Sequence, residues 1–199
     1  MKKNIILLAL SICLFATSKL NAQSQSTNKT KFSIEIDPTT FAAFNGYGVY
    51  GKVQLKNTKH WILGGGVYGL DLPKPLIDIN ADNKDKGWKT RINSAYLIFG
   101  EYYFKEPNNK WFAVLNLDIQ NFKITNDNIA DKASTYSSFL VLPAIGYVWK
   151  PFKGNNFYIK PWGGLGYTTK ISGDNTINNL TYKISSLVPF ATLHFGYTF

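Results

Sequence analysis

The sequence predicts an all-β fold from its composition and from the pattern of its segments. The chain has 199 residues, of which 45% are apolar and 17% charged, a balance that excludes a disordered chain. Aromatic residues make up 16%, and 16 glycines accompany 12 tyrosines and 14 phenylalanines, which favours strands and tight turns over helical bundles. Extended segments separated by turn-rich connections predict one β-domain over residues 31–199.

Residues 1–22 have the layout of a cleavable secretory signal peptide. Two lysines precede an apolar run over residues 5–15, and a polar tail follows. The apolar run is shorter than the roughly 20 residues that a membrane-spanning helix needs. We expect cleavage after Ala22, with Ser18 as the alternative, and a polar lead over residues 23–30 before the β-domain.

Export limits the chemistry that the mature chain can use. The only cysteine, Cys13, lies inside the predicted signal peptide, so we expect no disulfide and no thiolate metal site. The chain is basic, with a formal net charge of +10. Because an exported chain is kept apart from nucleic acid, we expect the lysines to face an anionic lipid surface or to maintain solubility. No metal and no cofactor is predicted.

Eight extended segments are predicted as antiparallel strands. They cover residues 32–44, 47–56, 60–72, 90–104, 111–124, 136–149, 157–169 and 182–199. All of them reach the roughly 9–11 residues of a tilted strand that crosses a bilayer, whereas strands of soluble domains run about 5–6 residues. The lengths therefore favour an eight-stranded up-and-down transmembrane β-barrel.

The connections fall into two classes. Short basic turns are predicted at residues 57–59, 105–110 and 150–156, and longer loops at 73–89, 125–135 and 170–181. The first connection, Asn45-Gly46, is a two-residue hairpin signal. With an even number of strands, both termini lie at the end of the short turns, an arrangement typical of bacterial outer-membrane barrels with short periplasmic turns.

Apolar and polar residues alternate along the strands, and charge placement indicates which face is inside. The polar rows contain the ionisable residues Glu35, Asp37, Lys52, Arg91, Glu101, Asp118 and Lys160. A charge that faced hydrocarbon at the bilayer midplane would cost up to ~4 kcal/mol, so we predict that these residues form a polar network in the lumen. A soluble lipocalin-like barrel has the same period with its apolar row inside, and this alternative stays open.

Aromatic residues near the strand ends predict two interfacial girdles. Trp61, Trp111 and Trp149 lie beside the short turns. The opposite ring is expected to contain Tyr47, Phe122, Tyr136, Tyr167 and Tyr182.

Prolines interrupt four of the predicted strands. Pro38, Pro143, Pro161 and Pro189 each lack the N–H that a ladder hydrogen bond needs, and we expect bulges or bends there.

The last strand contains the sequence feature that is most specific to a protein family. Its apolar row ends the chain with Leu193, Phe195, Tyr197 and Phe199, which resembles the assembly signal recognised by the barrel-assembly machinery. Residues 31–199 resemble small eight-stranded outer-membrane β-barrel proteins of the OmpX, OmpA transmembrane-domain or OmpW type, in a Bacteroidetes-type form. The resemblance implies a place in the outer membrane of a Gram-negative cell envelope. The implied partners are outer-membrane lipids and, during insertion, the barrel-assembly machinery.

No motif predicts catalysis. The loop over residues 78–85 opens like an EF-hand, but Asn83 stands where glycine is needed and Lys89 where a glutamate would close the shell. His60 and His194 lie on different predicted strands. Neither is followed two residues later by a serine that could act as a nucleophile with the histidine as its base. We therefore expect a protein that is not an enzyme, with a structural or surface-interaction role. The alternatives are a narrow channel or small hydrophobic-solute conduit, and a soluble lipocalin-like binding barrel.

Overall fold

The computed structural model describes residues 29–152 and 154–199, and its main body is a closed antiparallel barrel of eight strands, as predicted. The strands are β1 (Lys31–Ile36), β2 (Tyr47–Gln54), β3 (Trp61–Asp71), β4 (Trp88–Tyr103), β5 (Lys110–Asn126), β6 (Ile129–Val148), β7 (Phe157–Gly173) and β10 (Leu187–Thr198). Strands adjacent in this order pair with each other, and β1 pairs with β10 to close the ring. The predicted signal peptide lies outside the described residues.

Several short secondary-structure elements lie at one end of the barrel. They are helix α1 (Pro38–Ala43), helix α2 (Lys74–Ile77), a 3₁₀ turn (Ala81–Asn83) and a two-stranded sheet of β8 (Thr176–Ile177) and β9 (Leu180–Thr181). We call this end the upper end, and the end with the short turns, the start of β1 and Phe199 the lower end. Within the described part of the chain, no helix has the length and apolar character needed to cross a membrane.

The first predicted strand, residues 32–44, is wrong beyond β1. Asp37 caps helix α1, because its Oδ1 accepts hydrogen bonds from the backbone N–H groups of Thr39 at 2.9 Å and Thr40 at 3.2 Å. Pro38 occupies the first turn of the helix, where its missing N–H costs nothing. The hairpin predicted at Asn45-Gly46 is therefore wrong as well, since the β1–β2 connection contains the whole helix.

The loops predicted at residues 125–135 and 170–181 are mostly strand. β5 and β6 continue to a turn that leaves only two residues between the paired Asn126 and Ile129. β7 likewise extends to Gly173. These extensions are rich in Ser, Thr, Asn and Lys, a composition that resembles a loop when it is read without knowledge of the partner strand. Strand pairing in contact with water tolerates such residues.

The bulges predicted at the prolines are wrong, because no register shift lies at Pro143, Pro161 or Pro189 and Pro38 lies in α1. The β6–β7 register is the same on both sides of Pro143, between Val141↔Tyr167 and Ala144↔Gly164. Bulges lie instead between Tyr68 and Leu70, Ile92 and Ser94, Thr125 and Asn126, and Ser137 and Ser138. Pairs at Pro143 and Pro161 are missing only from the β6–β7 ladder, since Pro143 pairs with Leu115 of β5 and Pro161 with Leu193 of β10.

The outer surface of the barrel is apolar and its interior contains the ionised groups. Large apolar side chains are exposed on every strand, among them Ile34, Val49, Val67, Ile98, Leu115, Ile145, Leu165 and Leu187. Lysine, glutamate, aspartate and histidine side chains are buried inside the ring. This distribution is opposite to that of a soluble barrel.

Candidate functional site in the barrel interior

An ionic layer crosses the lower half of the barrel. It consists of Glu35, Glu101, Lys52 and Lys160. Lys52 Nζ lies 2.5 Å from Glu35 Oε1 and 3.1 Å from Glu101 Oε2. Lys160 Nζ lies 2.5 Å from Glu35 Oε2 and 2.7 Å from Glu101 Oε1. Both carboxylates therefore share both ammonium groups, and the layer carries no net charge.

Aromatic and imidazole groups complete the hydrogen bonds of the ionic layer. The Tyr158 hydroxyl donates to Glu35 at 2.7 Å, and the Tyr103 hydroxyl donates to Glu101 at 2.8 Å. His194 Nδ1 lies 2.9 Å from Glu35 Oε2, and its ring stacks on Tyr50 at 4.5 Å between centroids. Buried charges are tolerated when they are paired and their remaining lone pairs are satisfied, as they are here.

Asn108 closes the lower end from below. It lies in the β4–β5 turn and is only 4% exposed. Its Oδ1 accepts from Lys52 Nζ at 2.8 Å, while its Nδ2 donates to Ser33 and Thr198 at 3.3 Å each. Its φ of 53° is a left-handed conformation that asparagine tolerates better than most residues. Sequence reasoning missed this residue, because a turn asparagine is an ordinary turn signal.

Two further residues of the predicted network lie inside the barrel but outside the ionic layer. Asp37 is buried, caps α1 and accepts from the Thr192 hydroxyl at 2.7 Å. Asp118 is buried higher up and accepts from the Tyr68 hydroxyl at 2.8 Å. The structure therefore places six of the seven predicted residues in the lumen: Glu35, Asp37, Lys52, Glu101, Asp118 and Lys160.

Arg91 is not in the lumen, and this part of the prediction is wrong. The bulge between Ile92 and Ser94 shifts the alternation of β4 by one residue. Ile92 is consequently buried, and Arg91 points outward at the upper rim, 2.6 Å from Asp71 Oδ1. A single extra residue exchanges the two faces of every residue beyond it, and no local sequence pattern revealed where that residue lay.

An apolar chamber of about 90 Å³ occupies the upper half of the barrel. Its lining includes Leu70, Leu76, Ile92, Phe122, Tyr136, Leu140, Tyr182 and Phe190. Phe122 and Tyr136 stack at 4.7 Å between centroids. Phe122, Tyr136 and Tyr182 are all buried here, so their predicted place in an outer ring is wrong. These side chains face the barrel interior, whereas the sequence pattern predicted that they face outward.

The other predicted aromatic positions are exposed on the outer surface. Trp61, Trp111 and Trp149 lie beside the lower turns with exposed fractions of 50%, 54% and 55%. Tyr47 and Tyr167 are exposed toward the upper end, at 40% and 56%.

The terminal row predicted as the assembly signal lies on the outward face of β10. Tyr197 and Phe199 are exposed, while Leu193 and Phe195 are half-buried. The backbone N–H of Phe199 donates to Phe32 at 2.8 Å, which joins the last strand to the first. Recognition of this row by assembly machinery stays a prediction.

Among residues 29–152 and 154–199, no group of three or more His, Cys, Asp or Glu side chains has the geometry to hold a metal ion.

The chain matches no protein-family model, and a search of curated proteins finds no relative. Among solved structures, it is similar to the N-terminal β-barrel domain of Pseudomonas aeruginosa OprF, with a TM-score of 0.41 and 13% sequence identity. The alignment covers 88% of this chain and 100% of that chain.

Proposed function

We propose that the protein is an integral outer-membrane β-barrel with a structural or surface-interaction role. The observation that carries the proposal is the inverted polarity of the barrel. Its outer wall carries exposed Ile34, Ile98, Ile145 and many similar side chains, while the ionic layer is inside. Such a wall is stable against hydrocarbon and costly against water.

The interior supports a closed barrel in preference to a channel. Glu35, Glu101, Lys52 and Lys160 bridge the lumen, and Asn108 fills the space beneath them. At eight strands the interior of a barrel is just wide enough for side chains. A narrow channel would require this layer to open. A soluble lipocalin-like barrel would have to expose the apolar wall to water. Both are weaker proposals for this chain.

The upper loops and α1 supply the surface for an extracellular partner under this proposal. Their charges are mixed: Lys74 pairs with Asp85 at 2.9 Å, and Lys89 pairs with Asp127 at 2.5 Å. Exposed pairs of this kind contribute little to stability, so they leave the surface free to rearrange on binding. No catalytic role is part of the proposal.

Membrane fractionation combined with heat-modifiable gel migration tests the proposal. We expect the protein in the detergent-soluble outer-membrane fraction, and we expect its gel band to shift on boiling because a folded barrel resists detergent. Release of the folded chain into buffer without detergent would refute the membrane location.

Conductance in planar bilayers tests the closed lumen separately. We expect no steps of current for the wild-type chain, since the paired charges leave no continuous aqueous path. Steady single-channel openings would make the channel alternative the better description while leaving the membrane location intact.

A further inference from the structure

The barrel wall has a gap beside β10. This strand pairs with β7 from Leu187 to Tyr197, but with β1 only from Phe195 to Thr198. β1 ends at Ile36, and the chain then turns into α1. The upper part of β10 therefore faces no partner strand on that side. We call the space between this part of β10 (Leu187–Leu193) and α1 the lateral seam.

Two prolines keep the lateral seam from closing as a ladder. Extending the β1–β10 register beyond Ile36↔Phe195 would place Pro38 opposite Leu193. Phe199 N–H donates to Phe32 on the β1 side, and backbone groups alternate between the two sides of a strand, so Pro189 also faces the seam. Neither proline has an N–H to donate. The gap is therefore built into the sequence of both edges.

An apolar groove of about 370 Å³ lies at the lateral seam. Thr40 and Phe44 line it on one side, and Pro189 and Ala191 line it on the other. The groove and the chamber share three lining residues: Leu70, Leu76 and Phe190. These three side chains therefore border both the groove on the outside of the wall and the apolar chamber.

The surroundings of the lateral seam indicate what can fill it. Phe41 of α1 and Leu187 of β10, which belong to the two elements on either side of the groove, have exposed fractions of 79% and 54% and extend the apolar outer wall. At 90 Å³ the chamber alone has room for about three water molecules, whereas a groove of 370 Å³ falls within the roughly 300–1,000 Å³ of known ligand pockets. The ionic layer stops passage further down the lumen. A long, thin apolar group that remains anchored outside fits this shape.

We propose that the lateral seam admits one acyl chain of a lipid from the surrounding leaflet. The groove would hold the part of the chain near the wall, and displacement of Leu76 and Phe190 would admit its end to the chamber. Asp37 lines the groove, and both of its carboxylate oxygens already accept hydrogen bonds, Oδ1 from Thr39 and Thr40 and Oδ2 from Thr192. Recognition therefore rests on apolar contact. The inference depends on the proposed membrane location.

Photo-crosslinking from a lipid tail tests the inference. The full chain is reconstituted in phosphatidylcholine vesicles that contain a phosphatidylcholine with a diazirine near the end of one acyl chain, and adducts are located by mass spectrometry. We expect adducts on the chamber residues Phe122 and Leu140, which do not line the groove, in addition to outward residues such as Ile98. Adducts confined to outward residues, in protein that still shows heat-modifiable migration, overturn the inference and leave the membrane location standing.

A matched pair of variants tests the route. Ala191→Trp places an indole in the groove, whereas Ala113→Trp places one on the outer face of β5, away from both cavities. We expect Ala191→Trp to reduce interior adducts about tenfold, because an overfilled groove cannot also hold a chain. Ala113→Trp should leave them unchanged. Equal interior labelling in both variants overturns entry through the seam.

A parallel arm separates the two sources of an acyl chain. The same vesicles receive a free diazirine fatty acid in place of the labelled phospholipid. Interior adducts from the free acid alone overturn the proposal, because its occupant is a bilayer lipid. Failure of the chain to enter vesicles at all would instead count against the proposed function.

Discussion

The lower and upper halves of the barrel interior are built on different physical principles. In the lower half, Glu35 contacts Lys52, Lys160, His194 and Tyr158, and the buried charges leave little space between them. In the upper half, apolar side chains surround a chamber, and the wall beside it is not fully paired. The two halves therefore differ in what fills them: paired charges leave a cavity of only about 10 Å³ in the lower half, whereas apolar side chains surround one of about 90 Å³ in the upper half.

The largest expected effect comes from breaking the ionic layer. Glu35→Ala leaves Lys52 and Lys160 with one shared carboxylate, and removing one partner of a buried ion pair costs about 3–5 kcal/mol. Reversible urea unfolding from lipid vesicles measures the loss. Glu106→Ala in the exposed β4–β5 turn is the control, with an expected change within ±0.5 kcal/mol. Equal stabilities for the two variants would remove the basis of the comparison.

Close packing in the lower half should make the barrel sensitive to added side-chain atoms there. A Cβ added at Gly196 would overlap the ring of Tyr158, whereas one added at Gly51 meets nothing within 4 Å. We expect Gly196→Ala to cost about 1–3 kcal/mol, because overpacking a dense core forces neighbours to shift. Gly51→Ala should change the free energy of unfolding by less than ~0.5 kcal/mol. The same vesicle unfolding experiment checks both variants, and a neutral Gly196→Ala would indicate that the lower half is looser than described.

The effect of one added methylene group on stability should differ in sign between the two halves. Val188 lines the upper chamber, and Val114 lies in the lower half beside a cavity of only about 10 Å³. We expect Val188→Ile to stabilise the barrel by up to ~0.8 kcal/mol, because the methylene enters existing space. Val114→Ile should be destabilising, since it has no such space. The sign of the difference between the unfolding midpoints is the readout, and matching signs would contradict the proposed difference in packing.

The smallest effect is expected in the upper loops. A hydrogen bond from Lys74 lowers the pKa of the Asp85 carboxyl, and both side chains are largely exposed. A lowered carboxyl pKa means that the pair contributes above the unfolded pKa and that its contribution is lost as pH falls through the folded pKa. We expect Lys74→Met to return the pKa of Asp85 toward its ordinary value, as measured by carboxyl NMR titration, with no detectable change in unfolding midpoint at neutral pH. Lys84→Met, which removes a weaker interaction, should shift the pKa less.

Much of the fold could be predicted because barrel strands have a strict period of two. The polarity pattern gave the number and order of the strands and the outward positions of Trp61, Trp111 and Trp149. It failed where a bulge or a capped helix interrupted the period. Arg91 and Ile92 exchange faces because of one bulge, and Asp37 begins a helix where the pattern predicted continued strand.

Only the charged part of the candidate site could be predicted from the sequence. Lysines and glutamates in the polar rows of strands that alternate with apolar rows are conspicuous, so Glu35, Lys52, Glu101 and Lys160 could be assigned to one interior. The chamber could not, because Phe122 and Tyr136 have the residue types expected equally at a membrane interface and in a core. Asn108 could not either, since its role depends on a turn folding back beneath the lumen.

The sequence by itself determined the polarity of the wall, because side-chain alternation is a local property of a strand. Only the tertiary structure decided where that wall is open. Closure between β1 and β10 joins residues at opposite ends of the chain, and whether their edges meet depends on where β1 stops and on which side each proline faces. Hydrogen bonds between distant strands are set by register, and register is a property of the assembled barrel.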